Sequence, residues 1–286
     1  MVETLDLKTR SGLTFTIDSA GPAGGDLVLL LHGFPESRHS WQAALPALAQ
    51  AGYRAIAPDQ RGYSPGARPD PADLANYAFD KLIGDAIDIA DASGAAGRRF
   101  HLVGHDWGGQ VAWGVAGRHP DRLASLTILS RPHPSSFRRA LLKEDGDQKH
   151  RSRHHRKFLE PQTGPMLLED GARRLRRNLA SQGVPDAAIE EHLGVLGHPD
   201  ALEAALAWYR SNKGLAADIG VIRVPTLYVW GDADATVGPD AAHGTREFVS
   251  AAYAMEVLPG VGHFVMDQAA ARATDLMLQH FKRHPI

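Results

Sequence analysis

The chain contains 286 residues, of which 31 are Lys or Arg, 33 are Asp or Glu and none is Cys. This length permits a sizeable hydrophobic core, whereas the lack of a basic excess argues against a nucleic-acid partner and the lack of cysteine excludes disulfides, thiolate metal sites and thiol nucleophiles. The sequence begins without the apolar run of a secretory signal, and no apolar stretch approaches the ~20 residues that span a bilayer. We therefore expect a globular, cytoplasmic protein that does not enter a membrane.

The predicted strands are mostly short and nearly continuous apolar runs. The first differs, because residues 12–20 (GLTFTIDSA) alternate apolar and polar side chains, which is typical of a strand with one solvated face. The others have the composition of parallel strands that are covered on both faces. They are predicted at residues 26–31, Tyr53–Ala57, Phe100–Val103, Leu126–Leu129, Thr226–Trp230 and Tyr253–Leu258.

Segments with helical spacing lie between several of these strands. They are found at Trp41–Ala51, Leu82–Ala92, Gln110–Arg118 and Ala269–Phe281. The alternation of strands and helices predicts an α/β fold with a mostly parallel central sheet that is flanked by helices.

The segment from about residue 131 to residue 216 interrupts this alternation. It is rich in Arg, His and Glu, it has helical patches at Gly171–Ala180 and Ala201–Tyr209, and it has no convincing buried strand. Its charge clusters, such as HRSRHHRK, are interpreted as the solvated faces of helices. We expect residues 132–216 to form a helical cap, inserted into a core made of residues 1–131 and 217–286.

Several Gly-rich or polar motifs follow directly after predicted strands. They are HGFP (32–35), DQRGYS (59–64), GHDWGG (104–109), WGDAD (230–234) and GVGH (260–263). In an open α/β sheet, ligands bind beyond the carboxyl ends of the strands. One such turn alone often serves only to end a strand, but all of them together predict a catalytic site at this edge of the sheet.

The motif GHDWGG has the spacing of a nucleophile elbow, a tight turn between a strand and a helix that lifts one side chain above a parallel sheet. Asp106 occupies the nucleophile position, between the small residues Gly104 and Gly108. An aspartate that merely capped the following helix would not need glycine at both places. We therefore predict that Asp106 is a catalytic nucleophile.

The chain resembles the α/β-hydrolases over essentially its full length, and in particular the branch of epoxide hydrolases and haloalkane dehalogenases that attack with an aspartate. The motifs HGFP and GHDWGG and the WYR of the predicted cap (Trp208–Arg210) carry this resemblance, together with the order of nucleophile, acid and histidine. The combination favours the epoxide hydrolases. The resemblance implies an epoxide and water as partners, no cofactor and no metal, in a monomer or homodimer.

A carboxylate nucleophile suits attack on a saturated carbon. A serine that opened an epoxide or displaced a halide would form an ether, which the enzyme could not cleave. A carboxylate forms an ester, whose carbonyl carbon water can attack. We therefore expect Asp106 to form a covalent alkyl ester that water then hydrolyses, so that an epoxide becomes a vicinal diol.

The base that activates this water is predicted to be His263, because it follows the last strand in GVGHF. The resemblance implies that Asp234 orients it, since the family has the acid at the end of a G-x-x-D turn, with Asp232 as the alternative. Some relatives carry the acid after the preceding core strand. That position here is near Ser130 and Arg131, which cannot serve.

The resemblance also implies an oxyanion hole made of the backbone N–H groups of Phe34 and Trp107. It implies a cis peptide before Pro35. Pro35 itself is expected to border the substrate pocket. The indole of Trp107 is either a pocket residue or an ordinary packed aromatic residue.

Opening of an epoxide produces an alkoxide that needs a proton, and family members supply it from two cap residues, usually tyrosines. Tyr209 matches one of them. In SRHHRKFLEP the second position is occupied by His154, with His155 as an alternative register and pocket residue, which resembles a bacterial subgroup with a histidine in place of one tyrosine. Both histidines could instead belong to the charged cap surface. Trp208 is expected to line the pocket.

Three alternatives are open. A haloalkane dehalogenase would use the same triad and hold the halide with two N–H donors, for which Trp107 and Trp208 are candidates, although many such enzymes have Asn where this chain has Phe34. A fluoroacetate dehalogenase has arginines beside the nucleophile, at the places of Trp107 and Gln110. A hydrolase-like receptor would normally lack a complete triad.

Overall fold

A computed structural model describes residues 1–213 and 219–286 of the chain. Its strands are β1 (Val2–Lys8), β2 (Thr14–Ala20), β3 (Leu27–Leu31), β4 (Arg54–Pro58), β5 (Phe100–His105), β6 (Leu123–Leu129), β7 (Thr226–Gly231) and β8 (Tyr253–Leu258). They form one sheet in the order β1-β2-β4-β3-β5-β6-β7-β8. β2 pairs antiparallel with β1 and β4, and all other pairs are parallel. The predicted α/β fold with a mostly parallel sheet is confirmed.

The continuous apolar runs are buried because both faces of the sheet are covered. Along β3, Leu29 and Leu31 belong to one hydrophobic cluster, whereas Val28 and Leu30 belong to the cluster on the other face. All residues of β5, β6 and β7 are buried as well. β1 was not predicted from the sequence, because it lies at the edge of the sheet and none of its residues is buried.

The helices of the described residues are α1 (Ala44–Gln50), α2 (Phe79–Ala90), α3 (Asp106–Arg118), α4 (Pro134–Leu142), α5 (Gln148–Arg151), α6 (His154–Phe158), α7 (Thr163–Ser181), α8 (Asp186–Leu196), α9 (Pro199–Ser211), α10 (Pro239–Gly244) and α11 (Val265–Arg283). The predicted core helices correspond to α1, α2, α3 and α11. None of the helices in these residues is long and apolar enough to cross a bilayer.

Helices α4–α9 lie between β6 and β7, in the segment that was predicted to form the cap. The first predicted helical patch lies in α7 and begins within the kink of that helix at residues 169–172, and the second lies in α9. Hydrogen bonds join these helices to the core, for example from Ser136 Oγ to the Ala241 carbonyl (2.7 Å) and between Ser37 Oγ and His192 Nδ1 (3.0 Å). The predicted end of the cap at residue 216, and the return to the core at residue 217, lie outside the described residues.

Candidate active site

Asp106 stands at the junction of β5 and α3, where the backbone turns sharply. Its φ is 47°, a left-handed conformation that is strained for a residue with a side chain. The two flanking glycines are required by close approach: a Cβ on Gly108 would lie 2.2 Å from the Leu31 carbonyl oxygen, and one on Gly104 would lie 2.4 Å from the Gly108 carbonyl oxygen. The turn has the strand–turn–helix geometry that the sequence motif predicts.

The carboxylate of Asp106 is in contact with a backbone donor from the neighbouring strand end. The Phe34 N–H donates to Asp106 Oδ1 at 3.1 Å. The Phe34–Pro35 peptide is cis, as predicted. The Trp107 N–H belongs to the first turn of α3, where an amide has no intrahelical acceptor. One oxygen of Asp106 is thus already oriented towards the predicted oxyanion donor Phe34.

His263 lies between two carboxylates. Its Nε2 is 3.6 Å from Asp106 Oδ2, and its Nδ1 is 2.9 Å from Asp234 Oδ2. The other oxygen of Asp234 accepts from the Thr236 N–H at 2.7 Å and the Thr236 hydroxyl at 2.8 Å. Asp232 is exposed and accepts from the Gly260 N–H at 2.7 Å. Of the two candidates for the acid, the structure brings Asp234 and not Asp232 to the histidine.

The charges of this cluster change the pKa of each member. Burial opposes the charged form of His263, but Asp234 and Asp106 outweigh it and raise its pKa to about 10. Burial likewise opposes ionisation of Asp106 and Asp234, yet the contact with His263 lowers both pKa values below their usual range. At neutral pH the cluster is therefore an imidazolium between two carboxylates, in contrast to the unperturbed histidine that the sequence suggests.

The loop that carries His263 is held by a second buried pair. His105 directs Nδ1 to Glu36 Oε2 (2.6 Å) and Nε2 to the His263 carbonyl oxygen (2.9 Å). A ring that donates at both nitrogens is an imidazolium. Burial opposes this state, but Glu36 outweighs it and raises the pKa of His105. Ser130 Oγ donates to the same His263 carbonyl at 2.9 Å. These supporting residues were not identified from the sequence.

A cavity of about 730 Å³ opens above Asp106, a volume typical of small-molecule sites. Residues at the strand ends and residues of helices α4–α9 both contribute to its lining. The lining includes Phe34, Pro35, Asp106, Arg131, Phe137, His154, His155, Phe158, Tyr209, Thr236 and His263. The structure therefore brings the predicted nucleophile, base and cap donors to one cavity.

Tyr209 is held in the cavity wall by aromatic contacts. It projects from α9, and its ring centroid lies 4.8 Å from that of Phe158, 5.0 Å from that of Trp107 and 5.6 Å from that of Phe34. Burial and then the charge of Asp106 raise the pKa of its hydroxyl well above the ordinary value. The hydroxyl is therefore protonated at neutral pH and available as a donor.

The two cap histidines differ in their polar contacts. His154 Nδ1 is 3.0 Å from the Arg151 carbonyl oxygen, so this nitrogen carries the proton and Nε2 of the neutral ring is an acceptor. Neither ring nitrogen of His155 makes a hydrogen bond to a described residue, and the ring centroid lies 5.6 Å from that of Tyr209. Burial lowers the pKa of His154, and burial followed by His154 lowers that of His155 to about 3. Both rings are neutral at physiological pH.

Trp208 does not line the cavity, and its placement as a pocket residue is wrong. Its side chain is 2% exposed, and its indole N–H donates to the Arg61 carbonyl at 3.0 Å. Adjacent residues of a helix point in different directions, and Tyr209 is the one that faces the cavity. The Trp107 indole packs edge-on against Trp208, 5.7 Å between centroids, and is not part of the cavity lining either.

Arg131 is a lining residue that the sequence does not reveal. It was considered only as a possible position of the triad acid, for which it is unsuitable. Ser130, with φ 61°, turns the chain at the end of β6. The Arg131 carbonyl accepts from the Trp113 indole N–H at 3.0 Å, and its side chain reaches the cavity wall. Its role in the cavity could have been suspected from its position directly after a core strand, at the edge of the sheet where the other motifs lie.

Comparisons with known proteins agree with this architecture. A family profile described as alpha/beta hydrolase fold matches residues 26–270. The chain is 31% identical to Epoxide hydrolase A of Mycobacterium tuberculosis over 96% of this chain and 95% of that protein. It is 32% identical to Epoxide hydrolase 4 of Mus musculus over 89% of this chain and 72% of that protein.

This chain superposes with a TM-score of 0.84, at 29% identity, on the solved structure of one of the novel epoxide hydrolases from metagenomes of hot environments. The superposition covers 98% of this chain and 99% of that one. Fold, elbow geometry and similarity over nearly the full length lead to one classification. The chain belongs to the α/β-hydrolase family and, within it, to the branch of the epoxide hydrolases.

Proposed function

We propose that this chain hydrolyses epoxides to vicinal diols through a covalent ester on Asp106. The observation that carries the proposal is the position of the Asp106 carboxylate. It lies at the floor of an aromatic-walled cavity, 3.1 Å from the Phe34 N–H and 3.6 Å from His263 Nε2, and Tyr209 lines the cap side of the same cavity. The two relatives named above are epoxide hydrolases, which points to the same substrate class.

In the first step, Asp106 attacks a ring carbon of the epoxide. Because Oδ1 already accepts from the Phe34 N–H, Oδ2 is the oxygen that forms the new C–O bond. The bond between this carbon and the epoxide oxygen breaks, and the oxygen takes a proton from the Tyr209 hydroxyl. The product is a hydroxyalkyl ester of Asp106, with the tyrosine as the phenolate.

In the second step, His263 Nε2 takes a proton from water, and the hydroxide attacks the ester carbonyl carbon of Asp106. The N–H groups of Phe34 and Trp107 stabilise the oxyanion. Collapse of this intermediate breaks the bond between the carbonyl carbon and the ester oxygen. The proton of the attacking hydroxide moves to the leaving alkoxide, which releases the diol and regenerates the carboxylate. The imidazolium proton of resting His263 passes to the phenolate of Tyr209 before this step, and the proton taken from water restores the imidazolium, so the sum is one epoxide plus one water.

The charge of Asp106 couples the two steps. While Asp106 is ionised, it raises the pKa values of both His263 and Tyr209. Formation of the ester removes this negative charge, so both pKa values decrease. The tyrosine becomes a better proton donor as the epoxide opens, and the imidazolium of His263 becomes able to pass its proton to the resulting phenolate before it must act as a base. An imidazolium in the resting state is therefore compatible with the mechanism.

The second donor to the epoxide oxygen is His155 rather than His154. In the neutral state, the His154 proton is committed to the Arg151 carbonyl, and Nε2 can only accept. His155 lines the cavity beside Tyr209 with both ring nitrogens free of described partners. Its pKa of about 3 means that it donates as a neutral imidazole.

Dehalogenation receives less support from the geometry. A halide leaves as a stable anion and needs two N–H donors rather than an acid. Of the candidate pair, Trp208 donates its indole N–H to the Arg61 carbonyl and lies outside the cavity lining. A donor pair for halide is therefore incomplete among the described residues.

The test is to stop the reaction after its first step. In His263→Gln the ester should form but not hydrolyse, because the base is absent. After incubation with a terminal aryl epoxide, intact mass spectrometry should show one adduct of substrate mass, and peptide mapping should assign it to Asp106. His243→Gln, which changes an exposed histidine of α10, is the matched control and should turn over without an adduct.

Asp106→Ala should give neither adduct nor diol. An adduct on another residue, or normal diol formation by His263→Gln, would contradict the proposed division of the two steps. Release of halide from alkyl halides, with no reaction on epoxides, would move the assignment to a dehalogenase.

A further inference from the structure

Arg131 places a cation in the wall of the substrate cavity. Its Nε donates to Gln110 Oε1 at 3.0 Å, and its guanidinium carbon lies 4.5 Å from the centre of the Phe137 ring. No carboxylate of the described residues lies within 4 Å of it, including that of Asp106. Its two terminal nitrogens donate to no residue of the described ranges. The positively charged end of the side chain therefore lies at the cavity without a direct counter-ion.

Such an arrangement is costly unless an anion completes it. A guanidinium is protonated at any physiological pH, and a charge removed from water needs a partner or hydrogen bonds to offset its desolvation. Burial lowers the pKa of Arg131, and Asp106 opposes this change from beyond ion-pair distance. Of the five N–H donors and two faces of the guanidinium, the protein uses the Nε–H and one face.

The other arginines of the cavity have protein partners. Arg151 pairs with Asp147 at 2.6 Å and also donates to the Asp234 carbonyl at 2.5 Å. Arg174 lies 3.8 Å from Glu169, and Arg153 bonds His150. Arg153 and Arg174 are also exposed to solvent, which offsets the cost of their charges. Arg131 differs from them because its Nε is fixed and its terminal nitrogens are left to a ligand.

The shape of the free donors selects the class of anion. With Nε bound to Gln110, the two terminal nitrogens form a planar fork that matches the two oxygens of a carboxylate. Phe137 stacks on Arg131, and the cavity lining also includes the apolar side chains of Phe158, Leu167 and Leu175. A monoanion with an apolar body fits this environment better than a dianionic phosphate, which would be harder to desolvate.

We infer that Arg131 is a carboxylate-binding residue of the substrate site and that the preferred substrates are epoxides that carry a carboxylate. The epoxide part of this inference rests on the proposed function, whereas the carboxylate part rests on the cavity itself. The carboxylate binds the fork of Arg131, and the epoxide lies over Asp106. Because Arg131 and Asp106 are not in contact, the body of the substrate occupies the space between them.

The first experiment measures binding without turnover. Phenylbutyrate and phenylbutyramide have nearly the same shape and differ in charge. By calorimetry, the wild type should bind the acid about 10- to 100-fold more tightly than the amide, as expected for charge-assisted hydrogen bonds. In Arg131→Gln the two affinities should become equal, and Arg131→Lys should recover part of the preference. Arg156→Gln, an exposed cap arginine, removes the same charge and should keep it.

Two binding results would overturn the inference. One is equal affinity of the wild type for acid and amide. The other is an equal loss of affinity for both in Arg131→Gln, which would make Arg131 only a counter-ion of Asp106. Tighter binding of a matched phenylalkyl phosphonate would overturn the assignment to carboxylates.

The second experiment measures turnover of an epoxide with a terminal carboxylate against its carboxamide, over a series of spacer lengths. The ratio of kcat/KM values should favour the acid by about 10- to 100-fold at one spacer length and should collapse in Arg131→Gln. Turnover of both compounds with no preference would sink the inference and leave the proposed function intact. A preference for the acid in binding, without turnover of any epoxide, would support the carboxylate site and contradict the proposed function.

Discussion

The core and the cap contribute to the same cavity in different ways. In the core, the Asp234 side chain makes hydrogen bonds with both His263 and Thr236, so its acceptor capacity is used by the protein. In the cap, Tyr209 and His155 are positioned by aromatic contacts, and the ring nitrogens of His155 have no described partner. The acid that orients His263 has its hydrogen bonds complete before substrate arrives, whereas His155 keeps its polar groups for the substrate.

This difference separates chemistry from selectivity. Hydrogen bonds that are complete before substrate arrives cost no reorganisation during the reaction, and they act on any substrate alike. Groups that are held only by packing can be re-aimed when the cap helices shift. We therefore expect changes in the core to affect one chemical step with every substrate, and changes in the cap to depend on the compound.

The largest effect is expected in the core, for Asp234→Asn. An amide cannot balance the imidazolium, and it favours the wrong tautomer of His263, which typically costs ~10³–10⁴-fold in such triads. The loss should fall on ester hydrolysis, while ester formation changes by less than ~10-fold, as rapid-quench measurements would reveal. Asp232→Asn is the matched control on the same turn and should be nearly neutral. Equal loss in both steps would contradict the assignment.

A second large effect concerns pH. Ester hydrolysis needs neutral His263, whose pKa is about 10 beside two carboxylates and lower once Asp106 is esterified. Hydrolysis should therefore decrease about tenfold for each pH unit below the pKa of His263 in the ester. Ester formation needs ionised Asp106, whose pKa lies far below its usual range, so it should stay level over the same acidic span. Single-turnover measurements of each step provide the check, and a parallel decline would refute the division.

In the cap, Tyr209→Phe removes one hydroxyl and keeps the ring in its aromatic contacts. Loss of a positioned acid costs ~10²–10⁴-fold, but the neutral donor His155 should soften the loss to about 10- to 100-fold in ester formation from epoxides. Adding His155→Phe should reduce the rate further, whereas His154→Phe should not. Pre-steady-state alkylation by an epoxide and by an alkyl halide makes the comparison. An unchanged rate of ester formation from epoxides in Tyr209→Phe would mean that this residue of the cap donates no proton in the reaction.

The smallest effect is expected for Thr236→Val, which keeps the side-chain shape. Its hydroxyl contacts both Asp234 Oδ1 (2.8 Å) and His263 Nδ1 (2.7 Å), so it helps to orient the pair without carrying charge. Its removal should slow ester hydrolysis by about 3- to 10-fold and should leave ester formation alone. A loss as large as that of Asp234→Asn would mean that the hydroxyl, and not the carboxylate, orients the base.

The sequence predicts the core site well because strand ends have a local signature. A continuous apolar run, a turn and a helical period place Asp106, Asp234 and His263 at one edge of a parallel sheet, whatever the details of packing. Glycine at 104 and 108 follows from close backbone approach at the same turn. The edge strand β1 has no such signature, since its exposed residues need no apolar run.

The cap was predictable as helical, but not in its orientation. Trp208 and Tyr209 were both predicted to lie at the pocket, and only the packing of α9 against the core decides that Tyr209 faces it while Trp208 bonds the Arg61 carbonyl. The choice between His154 and His155 depends in the same way on one backbone carbonyl, that of Arg151.

The amino-acid sequence by itself thus determined the fold and the placement of Asp106, Asp234 and His263 after strand ends, because each depends on patterns within a short stretch of chain. The tertiary structure decided which carboxylate reaches His263, the shifted pKa values and the exposure of the Arg131 fork. These properties depend on distances between residues far apart in sequence, and electrostatic energies change steeply with such distances and with burial. No local pattern encodes them.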